Sequence, residues 1–501
     1  MMLGRLFRRK SRPKARPRQW NLSDELLRWS KTDAWTVRDA LEGTLVTGAT
    51  GSGKSSGSGR TLALAMLESG FGGLVLTAKS DERLMWETYC RESGRQSDLV
   101  IVGPDASRRF NFLDYELNRK DSGAGLTENI VALFSNVMEI RERNASGGGR
   151  EDGDFWKQNA QKAMRNAVDL VSLATGRVSV PDLVQVVLSA PLSPAQIRDK
   201  YWQGQSLNFH YHRLVDAKEK TSRQAHDFAV VADYNLIEWP NLAERTRSVI
   251  QATFSGWADM LNRGLLRELF STDTNITPEE TEQGKIILID LPVKAFGEVG
   301  QFAQVLWKLM FQRAIERRNV AVSPRPVFLW ADEAQNFVTS YDMQFQTTCR
   351  AARVATVLLS QNYSNFLAAL GGGEKGRAET DSLLANLNTK ILHANGDPVT
   401  NDWAAGLIGR SLQVLSSGNS TYDAEDQWKA AIGLDWFGRT GSTSAGFSET
   451  YEYEVQPREF TRLRTGGPEN RCQVDGIVFQ NGRQFAASGR TWLRTSFQQN
   501  G

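Results

Sequence analysis

Apolar residues fall in short unbroken runs separated by longer amphipathic stretches. Gly43–Thr47, Leu74–Thr77, Leu99–Val102, Lys285–Asp290, Pro326–Asp332, Val354–Ser360 and Lys390–His393 each read as a strand. The runs are continuous rather than alternating, the pattern of parallel strands covered on both faces. Thr61–Leu67 holds strong helix formers and is ended by the glycines of Gly70–Gly73. Strand, glycine-rich loop, helix and strand follow one another here, which makes a βαβ unit.

Beyond Asn118 the period changes to that of helices, in Leu126–Arg141, Phe155–Thr175 and Ala243–Phe270, with loops at Gly147–Gly149 and Pro191–Pro194. The predicted architecture is α/β: a domain around a mainly parallel sheet, interrupted by an all-helical insertion. Its parts are a basic tail at 1–20, a first half at 21–117, the insertion at 118–281, a second half at 282–490 and a tail at 491–501. Leu22–Asp39 and Gln301–Arg318 read as helices. The Ser-, Gly- and Thr-rich stretch 411–458 reads as a loop or small hairpin. Arg471–Phe485 reads as a last hairpin turning at Asn481-Gly482.

Composition narrows the class. The chain has 501 residues, 40% of them apolar and 23% charged, as in globular proteins large enough for more than one domain. Its three cysteines, Cys90, Cys349 and Cys472, lie far apart and form no CxxC pair, which argues against a zinc ribbon or a disulfide framework and fits a reducing cytoplasm. His210 and His212 flank Tyr211, and His226 follows, without the further ligands a metal site needs. The 14 tryptophans are scattered among helical segments and read as core. The net charge of +3 implies no partner by itself. Its distribution says more, because residues 1–18 hold eight basic side chains and no acid. Such a segment is a solvated tail or an electrostatic anchor for nucleic acid or anionic lipid. No run of 18 apolar residues occurs, so neither a membrane helix nor a signal peptide is expected.

Candidate chemistry begins at Gly48-Ala-Thr50-Gly51-Ser52-Gly53-Lys54-Ser55, which satisfies GxxxxGK[ST]. Glycines let the backbone curl until several N–H groups face phosphate oxygens, and the following helix N-terminus adds its dipole. Lys54 supplies a positive charge to the β- and γ-phosphates, and the Ser55 hydroxyl is placed to ligate Mg²⁺. A dinucleotide GxGxxG reading from Gly51 and Gly53 fails, because Ser56 stands where the third glycine belongs; Ser56 instead joins Gly48, Thr50, Gly51, Ser52, Gly53, Lys54 and Ser55 as a nucleotide-binding residue.

An ATPase of this kind needs one acid near Mg²⁺ and often a second to activate water. Asp332-Glu333 ends an apolar strand and is followed by Ala334-Gln335; Asp332 is the metal candidate and Glu333 the base. Asp290 also ends a strand, but Leu291-Pro292 follows and the second acid is missing. Gln361 closes the strand Val354–Ser360, where ligands bind in α/β sheets, and can sense the γ-phosphate or position water. Arg350 or Arg353, just before that strand, is a candidate arginine finger toward a neighbouring subunit. Arg313, Arg317 and Arg318 read as a solvated helix face.

Together these residues resemble the type IV secretion coupling ATPases, the TraG/TraD-like conjugative branch of the FtsK–HerA superfamily. The matching pieces are Gly48–Ser55, Phe155–Ala160, Lys285–Pro292, Asp332–Gln335, Leu358–Gln361, Leu387–Arg410 and Leu463–Phe479. The resemblance covers about residues 35–490 and is carried by the ordered set, since the loop alone is shared by very many proteins. It implies a RecA-like domain with a helical insertion, ATP and Mg²⁺ at the interfaces of a ring of usually six copies, and DNA passing through or across that ring. It supports Lys54, Asp332, Glu333 and Gln361 in the roles above, and Arg350 over Arg353. Relaxase or other secretion proteins are the implied partners of the helical insertion. One departure stands out: such proteins typically carry a two-helix membrane anchor, whereas here the loop starts behind a basic tail. The expected location is cytoplasmic, or peripheral at the inner membrane through a partner or that tail. A soluble adaptor and a signalling or defence ATPase that shares the fold are the alternatives.

Overall fold

The computed structural model describes residues 20–120, 123–144, 151–421 and 442–499. Its apolar runs become strands: β3 (Thr44–Thr47), β4 (Gly72–Leu76), β5 (Leu99–Val102), β6 (Ile286–Ile289), β7 (Val327–Ala331), β8 (Val354–Ser360) and β9 (Thr389–Leu392), preceded by β1 (Glu25–Arg28) and β2 (Ala34–Thr36). Four more follow: β10 (Arg410–Thr421), β11 (Ser442–Tyr453), β12 (Gln473–Gln480) and β13 (Trp492–Gln498). Nine of these make one sheet, in the order β13-β12-β9-β3-β8-β7-β4-β6-β5. From β9 to β5 all neighbours are parallel, while β12 runs antiparallel to both β9 and β13.

Both faces of the sheet are buried, which explains the continuous apolar runs. Leu45, Leu74, Leu76, Ile287, Ile289 and Leu329 point into one core. Their strand neighbours Val46, Val75, Ile286, Leu288, Phe328 and Trp330 point into the other. Gly73 lies flat against the Phe328 ring, where a Cβ would come within 2.4 Å. The first core is roofed by the helix Val293–Arg317, which presents Phe302, Leu306, Met310 and Phe311. On that helix Gln304 is fully buried and clamps two strand ends: its carbonyl accepts the Thr77 N–H at 2.5 Å, and its amide donates to Thr77 O at 2.7 Å and Leu291 O at 2.8 Å.

Between β5 and β6 the named elements are all helical. Ala160, Met164, Val168 and Val171 recur every three or four residues on the helix Glu151–Thr175 and are buried where it meets the helices Val180–Leu188 and Glu244–Ala258. Among the described residues no single helix is long and apolar enough to cross a membrane; the bent pair Phe155–Thr175 and Val180–Leu188 passes that test only together, across a 112° break.

Several elements differ from the reading of the sequence. Leu22–Asp39 is not a helix but the β1–β2 hairpin followed by a short helix, Val37–Leu41. Its turn is held by Asp33, which accepts from the Ser30 hydroxyl at 2.6 Å and from the N–H groups of Ala486 and Ala487. Residues 492–498, read as a tail, form β13. Asn481-Gly482 does end β12, but the partner strand begins only at Trp492, because Phe485 dips into the core beside β2. The stretch 411–458 contains a long ladder, β10 against β11, rather than a small hairpin. The basic segment 1–18 and Gly147–Gly149 lie outside the described residues.

Candidate active site at the carboxyl edge of the sheet

The loop after β3 lies between the carboxyl ends of β8 and β9, its two parallel neighbours. Gly48 N–H bonds Ser360 O and Ala49 N–H bonds Ala394 O, so each flank of the loop is tied to one neighbour. Gly51 and Gly53 hold φ of +77° and +82°, a conformation that side chains disfavour. Gly53 has a second reason to be glycine: a Cβ there would sit 2.4 Å from Val474. Thr50 and Gly51 are exposed at the rim, and the Ser52 Oγ is buried without a hydrogen-bond partner. The chain then enters a π-helical turn, Ser55–Gly59, before the helix Arg60–Glu68. Glycines at 57 and 59 let that turn press against Val474, Leu359 and the Lys54 carbonyl.

Acids predicted from the sequence converge on this loop. Ser55 Oγ donates to Asp332 Oδ2 at 2.5 Å. Lys54 Nζ lies 3.8 Å from Glu333 Oε1, with both side chains buried. Glu333 takes φ +50° and ψ +49°, a left-handed conformation costly for a glutamate, and so turns its carboxylate back toward the loop. Gln335 Nε2 donates to Glu333 Oε2 at 2.9 Å, and Gln361 Nε2 stands 3.4 Å from each carboxylate oxygen. Ser360 Oγ donates to the Gln335 side-chain oxygen Oε1 at 2.9 Å, and Asn395 Nδ2 donates to the Gln361 backbone carbonyl at 2.9 Å. Burial pushes the Glu333 carboxyl up, but the Gln335 amide, Lys54 and Lys79 outweigh it and hold the group below the usual carboxylate range.

Lys79 was not singled out in the sequence. Its Nζ lies 3.1 Å from Glu333 Oε1. Burial works against its charge, yet Asp332 and Glu333 prevail and raise its pKa. The signal was present: Lys79 follows β4 at the carboxyl edge, the position that singled out Gln361. Glu82 accepts the N–H groups of Ala78 and Lys79 and so shapes this turn. Burial, reinforced by the charge of Asp332, pushes Glu82 up to about 8. His393, at the end of β9, was also missed. It is fully buried, with Nε2 2.7 Å from Ser58 Oγ and Nδ1 2.8 Å from Asp475 O, and burial lowers its pKa to about 4.

Two candidates fall elsewhere. Asp290 ends β6, two strands from β7, and is paired with Arg83 at 2.8 Å. Arg350 precedes β8 and therefore lies at the opposite edge of the sheet from Gln361, about 20 Å away by strand length. There it pairs with Glu42 at 3.2 Å and lines a cavity of about 310 Å³ with Arg38, Arg353, Leu22 and Leu41. Ser56, on the outer rim, accepts a hydrogen bond from Gln499.

The residues fit Mg²⁺ and a triphosphate. The loop offers helix-start N–H groups and an ammonium to phosphates, and Ser55 with Asp332 offers oxygen donors of the kind Mg²⁺ takes. Among the described residues no group of three His, Cys, Asp or Glu side chains is arranged to hold a metal by itself.

No protein-family model matches the chain, and no curated protein matches it in sequence. Solved structures do match it. The bacterial conjugative coupling protein TrwBdeltaN70, unbound, is 14% identical with a TM-score of 0.57, over 94% of this chain and 88% of that one. TrwB in complex with the ATP analogue ADPNP gives 14% identity and 0.55 over 96% and 91%. TrwB in complex with ADP and Mg²⁺ gives 14% and 0.53 over 94% and 88%. Identity this low speaks for the fold, and the likeness runs through nearly the whole of both chains: this protein has the P-loop NTPase fold seen in the conjugative coupling protein TrwB.

Proposed function

We propose that the chain is an ATP-hydrolysing ring motor of the conjugative coupling type, which translocates DNA or recruits DNA–protein substrates for transfer. The observation that carries this reading is the meeting of Lys54, Ser55, Asp332, Glu333 and Gln361 at one point on the sheet edge. In this reading the loop N–H groups and Lys54 bind and orient the triphosphate. Mg²⁺, when bound, neutralises phosphate charge, held by Ser55 and Asp332. Gln361 positions a water whose oxygen attacks the γ-phosphorus. Glu333 takes the proton, the bond to the β–γ bridging oxygen breaks, and ADP and inorganic phosphate leave.

The far edge has a part as well. Arg350 is too distant to serve its own nucleotide. In a ring of six copies the arginine-lined edge of one copy faces the nucleotide of the next, with Arg350 as the finger. DNA would be held through its backbone, without regard to sequence. Contact with the inner membrane from the cytoplasmic side would run through a partner or the basic segment 1–18, and relaxase-type partners would meet the helical insertion.

The test is ATP hydrolysis by purified protein with and without DNA. Stimulation that fades as salt rises is expected. Equal rates in both, with no DNA bound, would sink the motor and leave a non-translocating adaptor or signalling ATPase.

A further inference from the structure

The nucleotide loop has two ends, and only one of them faces the acids. Lys54 and Ser55 look toward Glu333 and Asp332, so the γ-phosphate and metal belong there. The next residue, Ser56, looks the other way and accepts a hydrogen bond from Gln499 Nε2 at 2.7 Å. A triphosphate laid along the loop therefore runs its nucleoside toward Gln499.

What surrounds Gln499 is constructed rather than incidental. Its Oε1 accepts the Gly467 N–H at 2.8 Å, and its own N–H donates to Cys472 O at 2.7 Å. The first of these bonds fixes the amide orientation, with oxygen toward Gly467 and nitrogen toward the loop. Gly466 holds φ +87°, and a Cβ there would strike Gln499 Oε1 at 2.2 Å. Gly467 holds φ +78° and has open space on its side-chain face. The same turn abuts the loop directly, for Thr465 O lies 3.2 Å from where a Gly53 Cβ would be. Behind it, Asp475 is gripped by Arg464 and Arg494 at 2.6 and 2.8 Å, and the Asp475 carbonyl is bonded to His393.

We propose that Gln499 and the Gly466-Gly467 turn form the nucleoside end of the site. One N–H of the Gln499 amide stays with Ser56 while the other donates to a ribose oxygen of the nucleoside. Gln499 is thus a positioning and specificity residue, while the open face of Gly467 gives the sugar and base a backbone wall to lie against. This rests on the nucleotide-binding reading above.

The experiment measures the affinity of the full chain for Mg²⁺–ATP and for Mg²⁺–tripolyphosphate, which has no nucleoside, by calorimetry, with thermal melting as the folding control. Gln499→Ala should weaken ATP binding about three- to tenfold, the loss of one hydrogen bond, and leave tripolyphosphate unchanged. Equal weakening of both ligands would mean that Gln499 merely braces the loop, and would overturn the proposal, as would unchanged ATP affinity. If the unaltered protein bound neither ligand, the nucleotide reading itself would fail and this inference with it. Gly467→Val, which places a branched side chain on the open face, should likewise lower the ATP-to-tripolyphosphate affinity ratio. An unaltered ratio in a folded Gly467→Val protein would remove the turn from the site.

Discussion

Lys79 Nζ stands 3.1 Å from Glu333 Oε1, closer than the loop lysine Lys54 at 3.8 Å. Glu333 is therefore held between two ammonium groups, from β4 on one side and β3 on the other, with Gln335 and Gln361 completing its shell. If Glu333 is the base of the proposed hydrolysis, these two cations keep it ionised and both set its readiness to take a proton. Lys79→Met removes one cation while keeping the bulk of the side chain. The Glu333 carboxyl should then rise, and the acid limb of the pH–rate profile for ATP hydrolysis should move up by about one pH unit. An acid limb that stays in place would show that Lys79 does not act on the base.

Glu333→Gln keeps the shape and the contacts with Gln335 and Gln361 but cannot accept a proton. Hydrolysis should fall by about 10²–10⁴, with ATP affinity kept within a few fold. Lys54→Ala should do the reverse to binding. Losing a charged hydrogen bond to phosphate costs about 1.5–3 kcal/mol, or roughly a ten- to hundredfold weaker Kd. Single-turnover hydrolysis and equilibrium binding separate the two. Full nucleotide affinity in Lys54→Ala would remove the loop from the site.

Much of this site is legible in the sequence, and the reason is local. A phosphate loop needs its glycines and lysine at fixed spacing, and an acid that ends a parallel strand must surface at the sheet edge, so Lys54, Asp332 and Gln361 stand out one by one. Lys79 and His393 obey the same edge rule but carry no spacing signal of their own. Gln499 is invisible to any such rule. It reaches Ser56 only because β13 folds back beside β12, 443 positions away in the chain. The β1–β2 hairpin escaped for a related reason: Asp33 secures its turn with partners near Ala486, and local propensity at 22–39 holds no trace of them.

Arg350→Ala tests the ring without a structure of it. Alone, the substitution removes an exposed pair with Glu42, which should cost about 0–1 kcal/mol of stability. If Arg350 serves a neighbour, hydrolysis should nevertheless fall by about 10³ or more. Mixing Arg350→Ala with Glu333→Gln subunits should restore some activity, because an interface can form in which the Glu333 of one copy meets the Arg350 of another. A variant that hydrolyses ATP at the unaltered rate would take the arginine out of the mechanism.

His393 and His212 set a pH window for stability. Burial lowers both to about 4 from an ordinary 6.5, so each is neutral in the folded protein and takes up a proton on unfolding. Between pH 6.5 and 4 the unfolded chain binds more protons than the folded one, and stability therefore rises with pH across that window, by about 1.4 kcal/mol per unit for each histidine. Above 6.5 this contribution is complete. The two differ in what else they do. His212 Nδ1 and Nε2 are buried without hydrogen-bond partners, so His212→Phe should flatten the slope without destabilising the protein at neutral pH. His393 bridges Ser58 on the loop helix to Asp475 on β12, so His393→Phe should flatten the slope and also leave Ser58 Oγ without that partner, loosening the phosphate loop. Urea denaturation midpoints taken from pH 4 to 8 give the slopes, and nucleotide affinity at neutral pH separates the variants. It should drop for His393→Phe and hold for His212→Phe.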